Sequence, residues 1–125
     1  MGKVLVIDDD PNNRLLLLTL LKYAGHSALE AETGSTGAQI AAAETPDLII
    51  VDLSLPDISG PELLRTLRAD PRTKGATIAL YTATRLAPAI EELVEIYGVR
   101  GVIPKPGDPQ EILRVIESLV NAPSA

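Results

Sequence analysis

Two short apolar runs, Val4-Leu-Val-Ile7 and Leu48-Ile-Ile-Val51, leave little choice of fold. Each is free of polar residues and each stops at carboxylates, Asp8, Asp9 and Asp10 after the first and Asp52 after the second. A branched, unbroken run of this length fits a strand covered on both faces, the kind that parallel sheets contain. If the two strands end at the same edge of one sheet, several negative charges crowd together there, which is costly unless a cation or a chemical task holds them.

The residues around these runs supply the remaining elements. Lys3 to Ile7 reads as the first strand. Asp10 is suited to cap, and Pro11 to begin, a helix over Asn12 to Tyr23 that stops at Ala24-Gly25. Ser27 to Glu30 is a weaker second strand, and Thr33-Gly-Ser-Thr-Gly37 opens a helix that runs to about Glu44 and is ended by Pro46. After the third strand, Leu53 to Gly60 is a loop, and Pro61-Glu62 starts a helix that reaches about Ala69. A polar connection, Asp70 to Gly75, precedes a strand at Thr77 to Tyr81. A helix over Ala87 to Tyr97, closed by Gly98, a short strand at Gly101 to Ile103 and a helix over Pro109 to Val120 complete the chain.

Five alternations of strand and helix predict an α/β domain, a doubly wound parallel sheet with helices on both faces, because parallel neighbours need crossover connections. The domain is expected to occupy residues 1–121, with 122–125 a disordered tail or the start of a linker.

Composition narrows the chemistry. At 125 residues the chain can enclose one real core, and with no Phe, no Trp and 3 Tyr that core is expected to be aliphatic. Base-stacking platforms are not expected in such a chain. A net charge of -6 disfavours nonspecific attraction to nucleic acid or to an anionic membrane. The chain has no Cys and 1 His, so a metal site here must be built from oxygen. His26 itself reads as a surface or turn residue. The start of the sequence has no signal-peptide pattern, and no apolar run reaches membrane-spanning length, so a cytoplasmic protein is expected. Gly34-Ser-Thr-Gly37 lacks the lysine and spacing of a nucleotide-binding loop.

In open α/β sheets ligands sit beyond the carboxyl ends of the strands, where the strand order reverses. Asp8 to Asp10, Asp52, Thr82 after the fourth strand and Lys105 after the fifth all fall at that edge. Oxygens of Asp9 and Asp52, with Asp8 bound directly or through water, suit a hard divalent cation such as Mg2+. The plainer reading of the acidic triplet is a helix cap alone. Asp52, at the end of a rigid strand, is the expected nucleophile toward a phosphoryl group, and its product would be an acyl phosphate. The cation, Lys105 and Thr82 would meet the charge on the transferring oxygens. Proline on both sides of Lys105 restricts its backbone, which argues against an ordinary surface lysine. Thr82 counts only beside the other positions.

In order and spacing, Asp8-Asp9, the segment Asp52-Leu-Ser-Leu-Pro-Asp-Ile-Ser-Gly60, Thr82-Ala83 and Lys105-Pro106 resemble the receiver domain of two-component response regulators, over about Lys3 to Val120. The resemblance implies a flavodoxin-like sheet of strand order 2-1-3-4-5. It also implies Mg2+ held by Asp8, Asp9, Asp52 and the backbone carbonyl of Ser54. A phosphohistidine on a sensor histidine kinase or phosphotransfer protein would donate to Asp52, with Thr82 and Lys105 on the phosphoryl group and slow hydrolysis afterwards.

The function implied is a phosphorylation-dependent signalling switch. Its helix 4, strand 5, helix 5 face would meet an output partner or a second copy, with no direct nucleic-acid or membrane partner. Leu86, Ile90, Val94 and Tyr97 recur there at helical spacing, and most of that stripe is expected to be core. One departure stands out. Three residues before Lys105, where the family carries a switch aromatic, this chain has Val102, which is stiff and has no ring to swing. Tyr81, Tyr97 or a repacking of that face would then carry the signal. Two other functions share the same residues: a degenerate receiver that serves as a phosphorylation-independent interaction module, which Val102 favours, and a small aspartyl-phosphate phosphatase. The phosphatase needs a general acid and a capping element that the sequence does not display.

Overall fold

The computed structural model describes residues 2–83, 88–105 and 107–120. Leu86, Pro106, the helix start at Ala87 and the tail at 122–125, all named above, lie outside the described residues. The elements run β1 (Lys3–Ile7), α1 (Pro11–Tyr23), β2 (Ser27–Ala31), α2 (Gly34–Glu44), β3 (Leu48–Asp52), α3 (Gly60–Ala69), β4 (Thr77–Thr82), α4 (Pro88–Tyr97), β5 (Gly101–Pro104) and α5 (Pro109–Val120). All neighbouring strands are parallel, in the order β2-β1-β3-β4-β5. The chain reverses direction across the sheet at β1, so β1 and β3 lie side by side and their carboxyl ends flank one crevice.

Alternation along the strands builds two cores. Leu5, Ile7, Ile49, Val51, Ile78 and Leu80 pack with Ala41 of α2, with Leu63, Leu64 and Leu67 of α3 and with Ile90 of α4. Val4, Val6, Leu48, Ile50, Ala79, Tyr81 and Ile103 face the other way, onto Leu17 and Leu21 of α1 and Ile112, Ile116 and Leu119 of α5. Each fully buried aliphatic side chain is worth about 1.5–3 kcal/mol, which is why the sequence can spend unbroken apolar runs on the central strands. Of the expected α4 stripe, Ile90 is buried while Val94 and Tyr97 are half-buried against the core.

The helix starts follow the sequence signals. Asp10 accepts from the Asn12 N–H at 2.8 Å, Thr33 from the Thr36 N–H at 3.1 Å and Ser59 from the Glu62 N–H at 3.2 Å. Each such cap stabilises its helix by about 1 kcal/mol.

Several details differ from the sequence reading. The strands run further than the apolar runs, because pairing continues to Asp52 opposite Tyr81 and to Thr82 opposite Pro104. Asp52, expected at the end of the third strand, is thus held by the sheet itself. The core is not purely aliphatic, since Tyr81 is 2% exposed. His26 lies at a turn but is buried: its Nδ1 accepts from the Gly2 N–H at 3.0 Å, and its Nε2 lies 2.6 Å from Glu117 Oε1. With Nδ1 accepting, the neutral ring carries its proton on Nε2 and donates it to Glu117.

Helix α2 crosses β1 closely at Gly37. A Cβ there would lie 2.5 Å from Ile7 Cδ1 and 2.8 Å from Ile7 Cγ1, and Ile7 is fully buried with nowhere to move. In Gly37→Ala the gain in helix propensity, about 1 kcal/mol, is opposed by overpacking that costs about 1–3 kcal/mol. Urea denaturation should show net destabilisation; a more stable variant would contradict this packing.

Candidate functional site

Strand alternation sets which side of the rim each functional group occupies. Asp52 continues the side of Leu48 and Ile50, and its register partner Tyr81 shares that side, over α1 and α5. Thr82 continues the opposite side, that of Ile78 and Leu80, toward α2, α3 and α4. Val102, opposite Leu80, packs on that second side too.

Asp8 follows β1 and is 1% exposed. Its Oδ1 accepts from the Asp10 N–H at 2.9 Å, and its carbonyl accepts from Arg14 Nη1 at 2.7 Å. Arg14 is in turn held by Glu30 at 2.9 Å, so the backbone at Asp8 is fixed from α1 and β2 together. Asp52, 5% exposed, accepts from the Ser54 N–H through Oδ1 at 3.1 Å. Asp9 is exposed and forms the solvent side of the cluster. One carboxylate oxygen from each of Asp8, Asp9 and Asp52 falls within 4.8 Å of the others.

Lys105 reaches this cluster from β5. Its N–H donates to the Thr82 carbonyl at 3.1 Å. Its ammonium lies 3.3 Å from Asp52 Oδ1 and 3.4 Å from Asp8 Oδ2, and 4.7 Å from the centre of the Tyr81 ring. The side chain thus crosses β4 over an aromatic face, an arrangement that favours a cation. Two carboxylates, those of Asp8 and Asp52, share this one ammonium, and Asp9 adds a third acid to the cluster. Burial pushes the Asp8 carboxyl above its ordinary value, and the charge of Asp52 adds to the rise, against the Asp10 N–H and Lys105, which lower it. Burial also raises the Tyr81 hydroxyl.

Asp8 Oδ2 is buried and faces the Lys105 ammonium at 3.4 Å, with no well-directed hydrogen-bond donor among the described residues. An orphaned carboxylate oxygen beside two more acids is a donor set of hard oxygens, which fits Mg2+.

The structure brings together Asp8, Asp9, Asp52 and Lys105, sets Thr82 at the adjoining strand end and places Ser54 two residues beyond Asp52. Sequence reasoning missed Arg14 as the anchor of Asp8 and Tyr81 as the surface beneath Lys105. Arg14 had a readable signal, since a residue one turn into a helix can reach back to the strand end before it. Among the described residues, no helix is long and apolar enough to cross a membrane.

The chain matches the family model described as the response regulator receiver domain over residues 4–117. It is 30% identical to the chemotaxis protein CheY of Pseudomonas aeruginosa over 118 residues, 94% of each chain. The solved structure of Vibrio cholerae CheY4 has a TM-score of 0.88 at 26% identity, covering 95% of this chain and 98% of that one. The receiver domain of the Pseudomonas aeruginosa sensor histidine kinase PA1611, solved with a magnesium ion coordinated in its active site cleft, has a TM-score of 0.86 at 22% identity over 97% and 98% of the two chains. Against two longer curated relatives the chain spans about half the length, 49% and 52%. With a family match that leaves out only the chain ends, on a sheet wound in the order 2-1-3-4-5, the protein belongs to the response regulator receiver domain family.

Proposed function

We propose that this chain is a phosphorylation-dependent signalling switch whose acceptor is the Asp52 carboxylate. The observation that carries the proposal is the ammonium of Lys105 held 3.3 Å from a strand-end carboxylate inside a cluster of acids. In the reaction an Asp52 oxygen attacks the phosphorus of a phosphohistidine on a sensor histidine kinase or phosphotransfer protein. The O–P bond forms, the N–P bond breaks, and the departing imidazole takes a proton. Lys105 exchanges its contact with Asp52 for one with the phosphoryl oxygens, and the Thr82 hydroxyl donates to them from the other side of the sheet. Water later attacks phosphorus, releasing phosphate and restoring the carboxylate. Such a donor makes the cytoplasm the setting of the reaction.

Asp8, Asp9, Asp52 and the carbonyl of Ser54 would hold Mg2+, which when bound supplies positive charge to the transferring oxygens. The orphaned Asp8 Oδ2 and the hard oxygen set support this assignment. Output would pass through α4, β5 and α5 to a partner protein or a second copy. Thr82 and Val102 share the α4 side of the sheet, and without a ring at Val102 the response there would be a repacking rather than a rotamer swing.

Incubation with acetyl phosphate and Mg2+ should add one phosphoryl group, read by intact mass. Asp52→Asn or chelation should abolish it, and Lys105→Ala should remain folded while slowing modification about 100-fold. An unmodified wild-type protein would instead support a fixed interaction module. A second expectation concerns the cost of the cluster. Because the Asp8 carboxyl is raised above 3.8 in the folded chain, it favours folding below 3.8, and that contribution is lost as pH rises through its folded value. Asp8→Asn should therefore stabilise the metal-free protein at neutral pH, read as a higher melting temperature. The gain should shrink in acid, and Mg2+ should stabilise only the wild type. Destabilisation by Asp8→Asn at neutral pH would contradict this view of the site.

A further inference from the structure

Three residues beyond Ser54, the carboxylate of Asp57 leaves its own loop and binds another element. Its Oδ1 accepts from the Gly34 N–H at 2.9 Å. Its Oδ2 accepts from the Ser35 N–H at 2.9 Å and from the Ser35 hydroxyl at 2.8 Å. The first turn of α2 thus has a cap from its own chain neighbour, Thr33, and a second cap from a loop that follows β3. The contact is also steric, because a Cβ at Gly34 would collide with Ile58 Cγ2.

Asp57 is exposed, so simple charge attraction at its position would be weak. Directed bonds to orphan amides at a helix start are a different matter, since charge, dipole and geometry act together. The Ser35 N–H, then the Gly34 N–H and the Ser35 hydroxyl hold the Asp57 carboxyl down to about 2, so the bridge is ionised and intact throughout the neutral range.

The loop between β3 and α3 has no regular secondary structure to fix its peptide planes. Its start is held by the Ser54 N–H on Asp52, its end by the Ser59 cap and its middle by Asp57. Of these three hydrogen-bonded fastenings, the middle one joins the loop to a separate element, beside the packing of Leu53, Leu55 and Ile58 on the core. On the reading of Asp8, Asp9, Asp52 and Ser54 as a cation site, we propose that Asp57 is a positioning residue. By tying the loop to the first turn of α2, it holds the Ser54 peptide in the orientation in which its carbonyl completes that site.

The test is Mg2+ affinity by calorimetry, measured well below the melting temperature of each variant, together with amide exchange at Gly34 and Ser35. Asp57→Ala should speed exchange at both amides and weaken Mg2+ about 10-fold. Asp57→Asn, which makes the same change in charge but keeps an acceptor oxygen, should recover part of that loss. Gly34→Ala, which displaces Ile58 without altering charge, should weaken Mg2+ as well. Asp70→Ala, which removes a carboxylate bound only to Arg72 in a distant loop, should leave affinity unchanged. Lower stability and faster exchange with unchanged Mg2+ affinity would overturn the proposal, as would equal losses in Asp57→Ala and Asp57→Asn with none in Gly34→Ala. Failure of the wild type to bind Mg2+ would overturn the cation reading itself, a result distinct from either.

Discussion

The ammonium of Lys105, shared between Asp8 and Asp52, is the contact on which the rim depends. It joins the last strand to the first and the third, and the side chain must pass over β4 to do so. Without it the two buried carboxylates would lack their ion-pair partner, and burial would drive them toward the protonated, uncharged form. With it they remain undercompensated, because one ammonium serves both. Burial first, and the charge of Asp52 after it, raise the Asp8 carboxyl, and its Oδ2 has no well-directed hydrogen-bond donor among the described residues. That undercompensation is what a divalent cation and a phosphoryl group can use.

The rim also divides two cores. Asp52 and Tyr81 belong to the side packed by α1 and α5, while Thr82 and Val102 belong to the side packed by α2, α3 and α4. A group attached to Asp52 would be reached from both, by Lys105 above the Tyr81 ring and by Thr82 at the neighbouring strand end. Such a site can register one chemical event as a change in packing on the opposite side of the sheet. On the proposed reading Val102, half-buried and branched, would take part in that change by repacking.

What could be read from the sequence was what depends on short-range pattern. The unbroken runs before Asp8 and Asp52 gave the two central strands, their shared edge and the acids on it, and the turn after Ile103 pointed to Lys105. Contacts between distant segments left no such trace. His26 is buried because Gly2 and Glu117, far from it in sequence, satisfy its two ring nitrogens. Asp57 caps α2 from a loop that follows the next strand, while Thr33 already occupies the position where a local cap is sought. Asp52 was legible as the end of the third strand, but its pairing opposite Tyr81 was not. The weak second strand was weak for a physical reason: β2 is the sheet edge, and its Ser27 and Glu30 are exposed.

The claim that this crowded rim is a cation site poised for phosphoryl acceptance is tested most directly by titrating Mg2+ into the 15N-labelled protein and following its amide resonances. The account predicts one saturable site, with shifts centred on residues 8–10 and 52–54. Shifts that fail to saturate, or that spread over surface acids such as Glu91, Glu92 and Glu95 and leave Asp52 unmoved, would contradict it.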